Sequence, residues 1–535
     1  MTRWLYRLCV GWLCMMAIST QAATLLDKPL AQQLVASNPA QRLAAIEALG
    51  QAATPHALLV LRALSQGTVF VRPDGEVLLS GDEITNVLSG AVVAALPDDA
   101  KRVALNNRLR GALQTEMAYA SLFDNSKTVK LQAAQQLQSV ANPARLSILQ
   151  RALSASNDSD LIAAIELAIA SASLQLPDDQ VRLVAIEKLG QSGLGQFKVA
   201  LTALLQPSVD GSYAEPQVVR EAAIVALEKI ERQQKLQTWL GNIFFGLSLG
   251  SVLLLAALGL AVIFGLMGVI NMAHGELLMI GAYSTYLVQT AVSEWWPAGF
   301  DYYVLIALPV AFVITASVGM LLEKTVIRWL YGRPLETLLA TWGVSLILMQ
   351  AVRSVFGAQN VAVVNPSWMS GGWRVMGDLV ISYNRIYIFF FSLFVVALIW
   401  VILNRTRIGL FVRAITQNRR MAGCVGVPTG QVDMLAFGLG AGIAGLGGVA
   451  LSQLGNVGPD LGRTYIVDSF MVVVLGGVGQ LAGTVIAALG LGTLNKLIEP
   501  MSGAVIAKIS ILVFIILFIQ KRPQGIFAPK GRSAE

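Results

Sequence analysis

Asn271, His274 and Glu276 fall within six positions of Ile270-Asn271-Met272-Ala273-His274-Gly275-Glu276, inside a run that is otherwise apolar. No charge occurs from 236 to 273, and after Glu276 the chain is apolar again through 288. A single membrane helix needs only about 20 apolar residues, so the stretch belongs in a bilayer. An amide, an imidazole and a carboxylate are costly at that depth. They mark either a turn at the interface or part of a transport path, and the residue types alone leave both open. Glu276 can accept from an amide or cap a helix. His56 is the only other histidine, so no zinc spacing exists, and His274 beside Gly275 reads as orienting a helix break.

Composition decides what must hold these groups in place. Of 535 residues 55% are hydrophobic and 13% charged, against about 25% charged in soluble domains. With mean hydropathy +0.63 the chain reads as an integral membrane protein. The bias is uneven: 24–237 is rich in Gln, Ala, Asp, Glu and Arg, whereas 238–520 holds the long apolar segments. The net charge of +7 lies mostly in short loops between those segments, which indicates membrane orientation and not nucleic-acid binding. Three cysteines, Cys9, Cys14 and Cys424, exclude a disulfide framework; Cys424 reads as a small apolar residue.

Arg3 and Arg7 precede a short apolar core, and Ser19-Thr20-Gln21-Ala22-Ala23 offers a cleavage site, so 1–22 reads as a signal peptide. The following region, 23–237, is then exported. It repeats itself: Arg42-Leu-Ala-Ala-Ile-Glu-Ala-Leu-Gly50 returns as Arg182-Leu-Val-Ala-Ile-Glu-Lys-Leu-Gly190, with weaker copies from Val129 and Val219. Apolar residues at helical spacing after turn-forming clusters resemble HEAT-type helical repeats. Two β-rich arms around Pro73-Asp74-Gly75 predict a small β-hairpin insertion. Asp98-Asp99 and Asp178-Asp179 read as helix caps, not as paired catalytic carboxylates. No catalytic spacing is present, so a scaffold or docking surface is expected.

Region 238–535 carries apolar segments at about 243–267, 277–292, 303–322, 338–356, 386–403, 434–454, 466–479, 484–498 and 504–519. This gives an all-α class: a polytopic membrane domain of eight or nine segments after a soluble helical-repeat domain. Loops near Lys324, Arg328 and Arg333, from Arg405 to Arg420, and after Lys521 are basic; those at 294–301 and 361–378 carry Trp295, Trp296, Trp368 and Trp373. The positive-inside and aromatic-belt rules place the basic loops and the C-terminus in the cytoplasm and the exported domain in the periplasm. Segments 466–479 and 484–498 are short for relaxed spans, with Gly476-Gly477-Val478-Gly479 an irregular turn between them. The glycines of 438–448 suit close helix packing, and no G-x-x-x-x-G-K-[ST] occurs, so the chain has no P-loop ATPase site.

The longest basic loop, 404–427, puts Ile408, Phe411, Val412 and Ile415 on one face of an amphipathic helix that ends at 423–426. Its residue types fit interfacial snorkelling or a knob that enters a partner's groove.

Four ordered motifs then carry a resemblance over 241–530. They are Gly265 to Tyr283 around Asn271-Met-Ala-His274-Gly275-Glu276; Gly409-x-x-x-Arg413-Ala414-Ile415-x-Gln417-Asn418-x-x-Met421-Ala422-x-x-x-Gly426; Val474-Leu475-Gly476-Gly477-Val478-Gly479; and Arg522-Pro523-Gln524-Gly525. The chain resembles the permeases of branched-chain amino-acid type ABC importers. Its signal peptide and long helical extension resemble the bacterial urea importer permease within that group.

The resemblance implies a bacterial inner-membrane transport subunit with no cofactor. Its partners would be a second permease subunit, two cytoplasmic ATPase subunits, a periplasmic substrate-binding protein and membrane lipid. It resolves the 404–427 loop as the part that docks on the ATPases, with Gly409, Arg413, Ala414, Asn418, Met421, Ala422 and Gly426 at family positions. Urea or a short amide needs donors and acceptors along its path, for which Asn271, His274, Glu276, Thr341, Ser345 and Asn495 are the candidates; Asp468 is expected to pair with a polar neighbour. The alternatives are a branched-chain amino-acid permease and, further off, a passive urea channel.

Overall fold

Side-chain caps set helix starts in the first compact unit, 1–234. Thr54 accepts from Ala57 N, Asn106 from Leu109 N, Asp158 from Asp160 N and Asp178 from Gln180 N, each satisfying an amide without an intrahelical partner. The computed structural model describes residues 28–527 except 35, 37, 53, 73–75, 81–83, 88–90, 94–95, 98–99, 104, 141, 208–212 and 378. The expected signal peptide, with Cys9 and Cys14, the 73–75 turn and Asp98-Asp99 lie outside the described residues.

The unit begins with α1 (Lys28–Leu34), α2 (Pro39–Ala52) and α3 (Pro55–Gln66). A small antiparallel sheet follows: β1 (Val69–Val71), β2 (Val77–Ser80), β3 (Ile84–Asn86), β4 (Val92–Val93) and β5 (Lys101–Arg102), in the order β4-β3-β2-β1-β5. Phe70 pairs with Leu78 in β2 and with Arg102 in β5. The last three strands have only two or three residues, too short for a period-2 pattern to register in the sequence.

Helices resume with α4 (Asn107–Ser121), α5 (Lys127–Val140), α6 (Leu146–Ser154), α7 (Ser159–Ser173), α8 (Asp179–Ser192) and α9 (Lys198–Ala203). The two matching sequence blocks bury the same positions. Ala45, Ile46, Leu49 and Gly50 on α2 correspond to Ala185, Ile186, Leu189 and Gly190 on α8. The glycines make room for different neighbours: a Cβ on Gly50 would strike the Glu116 side chain, and one on Gly190 the backbone of Ala226.

The second unit, 235–535, takes up most of α10 (Gln217–Met267). It continues through α11 (His274–Trp295), α12 (Tyr303–Thr325), α13 (Pro334–Phe356), a two-stranded ribbon of β6 (Gly372–Met376) and β7 (Leu379–Ser382), and α14 (Tyr383–Arg405). Two short helices, α15 (Arg407–Gln417) and α16 (Arg419–Cys424), precede α17 (Thr429–Ser452), α18 (Leu461–Gly476), α19 (Leu481–Ser502) and α20 (Ala504–Lys521). Among the described residues, seven helices are long and apolar enough to cross a membrane. Helices α11, with 22 residues, and α18, with 16, are not among them. The expected shortness of 484–498 is corrected: α19 extends to 22 residues because Leu481-Ala482-Gly483 and Glu499 to Ser502 continue the helix, with Pro500 in its last turn.

Helix α17 is the hub, and its glycines allow it to be. A Cβ on Gly440 would overlap Gly259 and Ile263 of α10; Gly445 lies against Gly281, and Gly448 against the Leu278 carbonyl, both on α11. Helix ends sort onto two faces. At one, Arg353 pairs with Asp460 at 2.8 Å, Val361 bridges to Val457, and Tyr303 donates to Gln453 at 3.1 Å. The exposed Trp295, Trp296 and Trp373 belong to helix ends and a ribbon on this face. At the other, Arg328 pairs with Glu323 and Arg419 with Asp433. The α18–α19 turn, with Gly477 at φ 98° and Gly479 at φ 77°, packs on Gly265 there. Asp468 pairs with Lys508 at 3.2 Å.

In the first unit Glu116 and Arg145 form a largely buried ion pair. Glu116 is 6% accessible, and Arg145 donates to its Oε1 at 3.0 Å and to Glu47 O at 3.0 Å. Burial raises the Glu116 carboxyl pKa, against the lowering pull of Arg145. A carboxyl raised on folding contributes stability that is present below its unfolded-state pKa and lost as pH rises through the folded value. Arg145→Ala is expected to cost about 3 kcal/mol near neutral pH, because the carboxylate is left buried without its cation. The loss shrinks on acidification, and with Glu116→Gln added it no longer varies with pH. Pulse proteolysis of the full-length chain at two pH values measures both effects.

Candidate functional site

Asn271 to Glu276 begins where α10 stops. Residues 268–271 are not helical, Gly268 turns at φ 64°, and α11 starts at His274. Met272 N donates to Thr341 Oγ1 at 3.1 Å, and Ser345 Oγ donates to Glu276 Oε1 at 2.9 Å. Both partners lie within α13, seven and eleven residues past Pro334, or roughly 10 and 16 Å along the helix. On the other flank His274 Nε2 donates to Ala256 O at 2.9 Å, eleven residues before α10 ends and again about 16 Å up its axis. After leaving α10 the chain therefore folds back into the bundle, to a level roughly 10 to 16 Å along α10 and α13 from their nearer ends. The break thus lies inside the bundle and not at the helix ends, the placement that the path alternative expects.

The irregular backbone survives there because its polar groups find protein partners. Asn271 Oδ1 accepts from Ala273 N at 3.0 Å, and Asn271 O accepts from His274 N at 3.3 Å. Gly275 removes the last obstruction. A Cβ on Gly275 would overlap Gly462, one on Gly462 would overlap Gly275, and the first turns of α11 and α18 meet there backbone to backbone.

Three fully buried side chains in this segment keep a free hydrogen-bonding atom: Asn271 Nδ2, His274 Nδ1 and Glu276 Oε2. Asn271 also lines a cavity of about 160 Å³ with Leu260, Phe264, Ile466, Val467 and Phe470. Ile270 and Met272 complete the lining, so that apart from the Asn271 amide its walls are apolar. The arrangement can pass a small solute along an apolar wall and offer it a donor and, one helical turn on, a carboxylate acceptor.

Thus the structure brings four of the six candidates, Asn271, Glu276, Thr341 and Ser345, into one set. His274 points the other way, to α10, and anchors the helix start. Asn495 sits half-buried on α19 with no hydrogen bond to the set. Glu276 does not cap α11, since its carboxylate bonds across to α13. Gly462, the counterpart of Gly275, escaped the sequence reading; its signal was a small residue at the start of the short segment that became α18.

The basic loop forms two helices and not one. Asn418 separates them and caps α16 by accepting from Met421 N at 3.0 Å; Thr406 caps α15 at Gly409 N. The packed face is Val412, Ile415 and Ala422 against Val432 and Ala436 of α17, with Phe411 and Ala414 at its edge. Ile408, expected on that face, is 40% exposed, because Gly409 takes the inner position directly against the Leu403 carbonyl. Gly426, at φ 87°, turns the chain into α17. Leu410, Met421 and Val425 are 57%, 61% and 72% exposed, and Cys424 is exposed as well. Arg413 donates to Asn404 at 3.1 Å. The surface is apolar with a cationic border, the composition of a docking knob.

Replacing Thr341 by Val keeps the shape but strips Met272 N of its acceptor inside the bundle. A loss of about 1–3 kcal/mol is expected, concentrated at the start of α11, and amide exchange of 268–276 in detergent should rise while that of α17 holds.

Residues 242–520 match the family model described as the branched-chain amino acid transport system permease component. The chain is 29% identical over 294 residues to the high-affinity branched-chain amino acid transport system permease protein BraD of Pseudomonas aeruginosa, covering 54% of this chain and 95% of that protein. Its identity to the corresponding protein LivH of Escherichia coli K12 is also 29%, over 298 residues, 54% of this chain and 95% of that one. The ribose import permease protein RbsC of the same organism is 26% identical over 269 residues, 48% of this chain and 77% of its own length.

Proposed function

The chain belongs to the branched-chain amino acid transport system permease family, and from that premise we propose that it is the membrane-spanning subunit of an ATP-driven importer. The observation that carries the reading is the helix start at depth, where Asn271 and Glu276 hold unfilled hydrogen-bonding atoms near an apolar cavity. A helix broken at mid-membrane, with irregular backbone shielded by its neighbours, is how many transporters form a substrate path. The partners in this proposal are a second permease chain, two ATPase subunits seated on α15 and α16, and a substrate-binding protein. The basic face lies in the cytoplasm. The first unit, a HEAT-like scaffold or docking surface behind a signal peptide at 1–22, lies in the periplasm of a bacterial inner membrane.

The relatives' names support a branched-chain amino acid as the cargo. A second reading, urea or a short amide, has its own support. BraD and LivH are covered over 95% of their length but account for only 54% of this chain, so the first unit has no counterpart in those alignments. The deep set also holds a carboxylate whose bonded partner is the Ser345 hydroxyl and not a cation, which suits a neutral solute with two amide NH2 groups and one carbonyl. A zwitterion would call for both charges.

Proteoliposomes holding the assembled complex decide between them. Leucine accumulation without urea accumulation supports the first cargo, and the reverse supports the second. Uptake of either that persists without the ATPase subunits would overturn the importer reading in favour of a channel. Asn271→Ala is expected to lower uptake at least about tenfold in a complex that still assembles, the loss of one buried hydrogen bond to the moving solute.

A further inference from the structure

At the basic face, two carboxylates are buried where the bundle has little else to neutralise them. Glu323, near the end of α12, is 0% exposed and Asp433, in the first turns of α17, is 3% exposed. Each is held by an arginine from a short connecting helix. Arg328 pairs with Glu323 at 3.1 Å and also reaches Gly430 O at 3.4 Å. Arg419, the first residue of α16, pairs with Asp433. Tyr331 joins the two pairs. Its hydroxyl donates to Glu323 Oε1 at 3.2 Å, and its ring lies under the Arg419 guanidinium at 4.8 Å from the centroid.

We propose that Arg419 is the positioning residue that carries displacement of α15–α16 into the substrate path. This rests on the importer reading above. The hydrophobic contacts of α15 and α16 go to α17 and to Leu403 of α14, whereas the Arg419–Tyr331 contact joins α16 directly to the α12–α13 connection. Pulling Arg419 away would leave Asp433 buried and unpaired, which is strongly unfavourable, so α16 and the start of α17 move together. Through Tyr331 and Glu323 the same motion reaches the 326–333 loop. That loop is fixed to α13, because Thr337 Oγ1 donates to Leu330 O at 3.0 Å. One turn further along, Thr341 holds Met272, and Ser345 holds Glu276 beyond it. The chain of contacts thus runs from the docking surface to the helix break without leaving hydrogen bonds, ion pairs and one stacked ring.

The test uses the assembled complex in proteoliposomes with radiolabelled urea and leucine, and reads substrate moved per ATP hydrolysed. Arg419→Gln is compared with the double variant Arg419→Gln/Asp433→Asn, which removes the buried charge with its partner and so keeps a chain able to fold. The swap Arg419→Asp/Asp433→Arg and the exposed control Arg420→Gln complete the set. The ratio is expected to fall about fivefold or more in the first two, to recover in part in the swap, and to hold in the control. Transport and hydrolysis that fall in proportion in the double variant, or an unchanged ratio, would overturn the role of Arg419 while leaving the importer reading intact. A wild-type complex whose uptake is independent of ATP would overturn both.

Discussion

A peptide group that leaves a helix inside an apolar bundle must still be hydrogen-bonded, and the second unit is arranged around meeting that demand at 268–276. Thr341 is there to accept from Met272 N, Asn271 folds its own oxygen back onto Ala273 N, and His274 takes hold of the α10 carbonyl at Ala256. Each partner comes from a different direction, so α10, α11 and α13 are fixed relative to one another by polar contacts few in number and costly to lose. Apolar packing fills in around them but does not set the geometry.

Close approach is the second condition. Backbone partners can be reached only if neighbouring helices come nearer than side chains normally permit, and the glycines at 259, 281, 440, 445 and 448 supply that clearance. The same glycines leave α17 with little side-chain bulk of its own, which is why it serves as the surface on which α10, α11 and α12 all rest. Helix packing and site construction are therefore one problem here, since opening any of these contacts by a methyl group shifts the polar set as well.

Much of this was legible in the residues. Hydropathy marked nine apolar segments, and each falls on a described helix; the placing of arginine and tryptophan sorted the loops as the helix ends sort in space. The polar cluster at 271–276 announced itself by chemistry alone. Its depth did not, because depth is set by Thr341 and Ser345 on a helix some seventy residues later, and nothing local records that pairing. The loop at 404–427 looked like one amphipathic helix because its apolar spacing is continuous enough; the capping capacity of Asn418 was the local sign of a break. Nothing local marks Glu323 or Asp433 for pairing, although Asp433 immediately precedes a glycine-rich apolar segment in the same helix. In the first unit, the short strands after β2 carry too few residues for any periodic signal.

The contact between Gly275 and Gly462 has one more consequence. Two helices that touch through bare backbone have no rotamers to rearrange at the point of contact itself when their angle changes. Such a junction behaves as a bearing: it resists separation and sideways slip but offers little friction to rotation. A change in the α11–α18 angle would therefore meet least resistance at this point and more where Leu461 and Tyr465 share hydrophobic clusters with the α11 side chains.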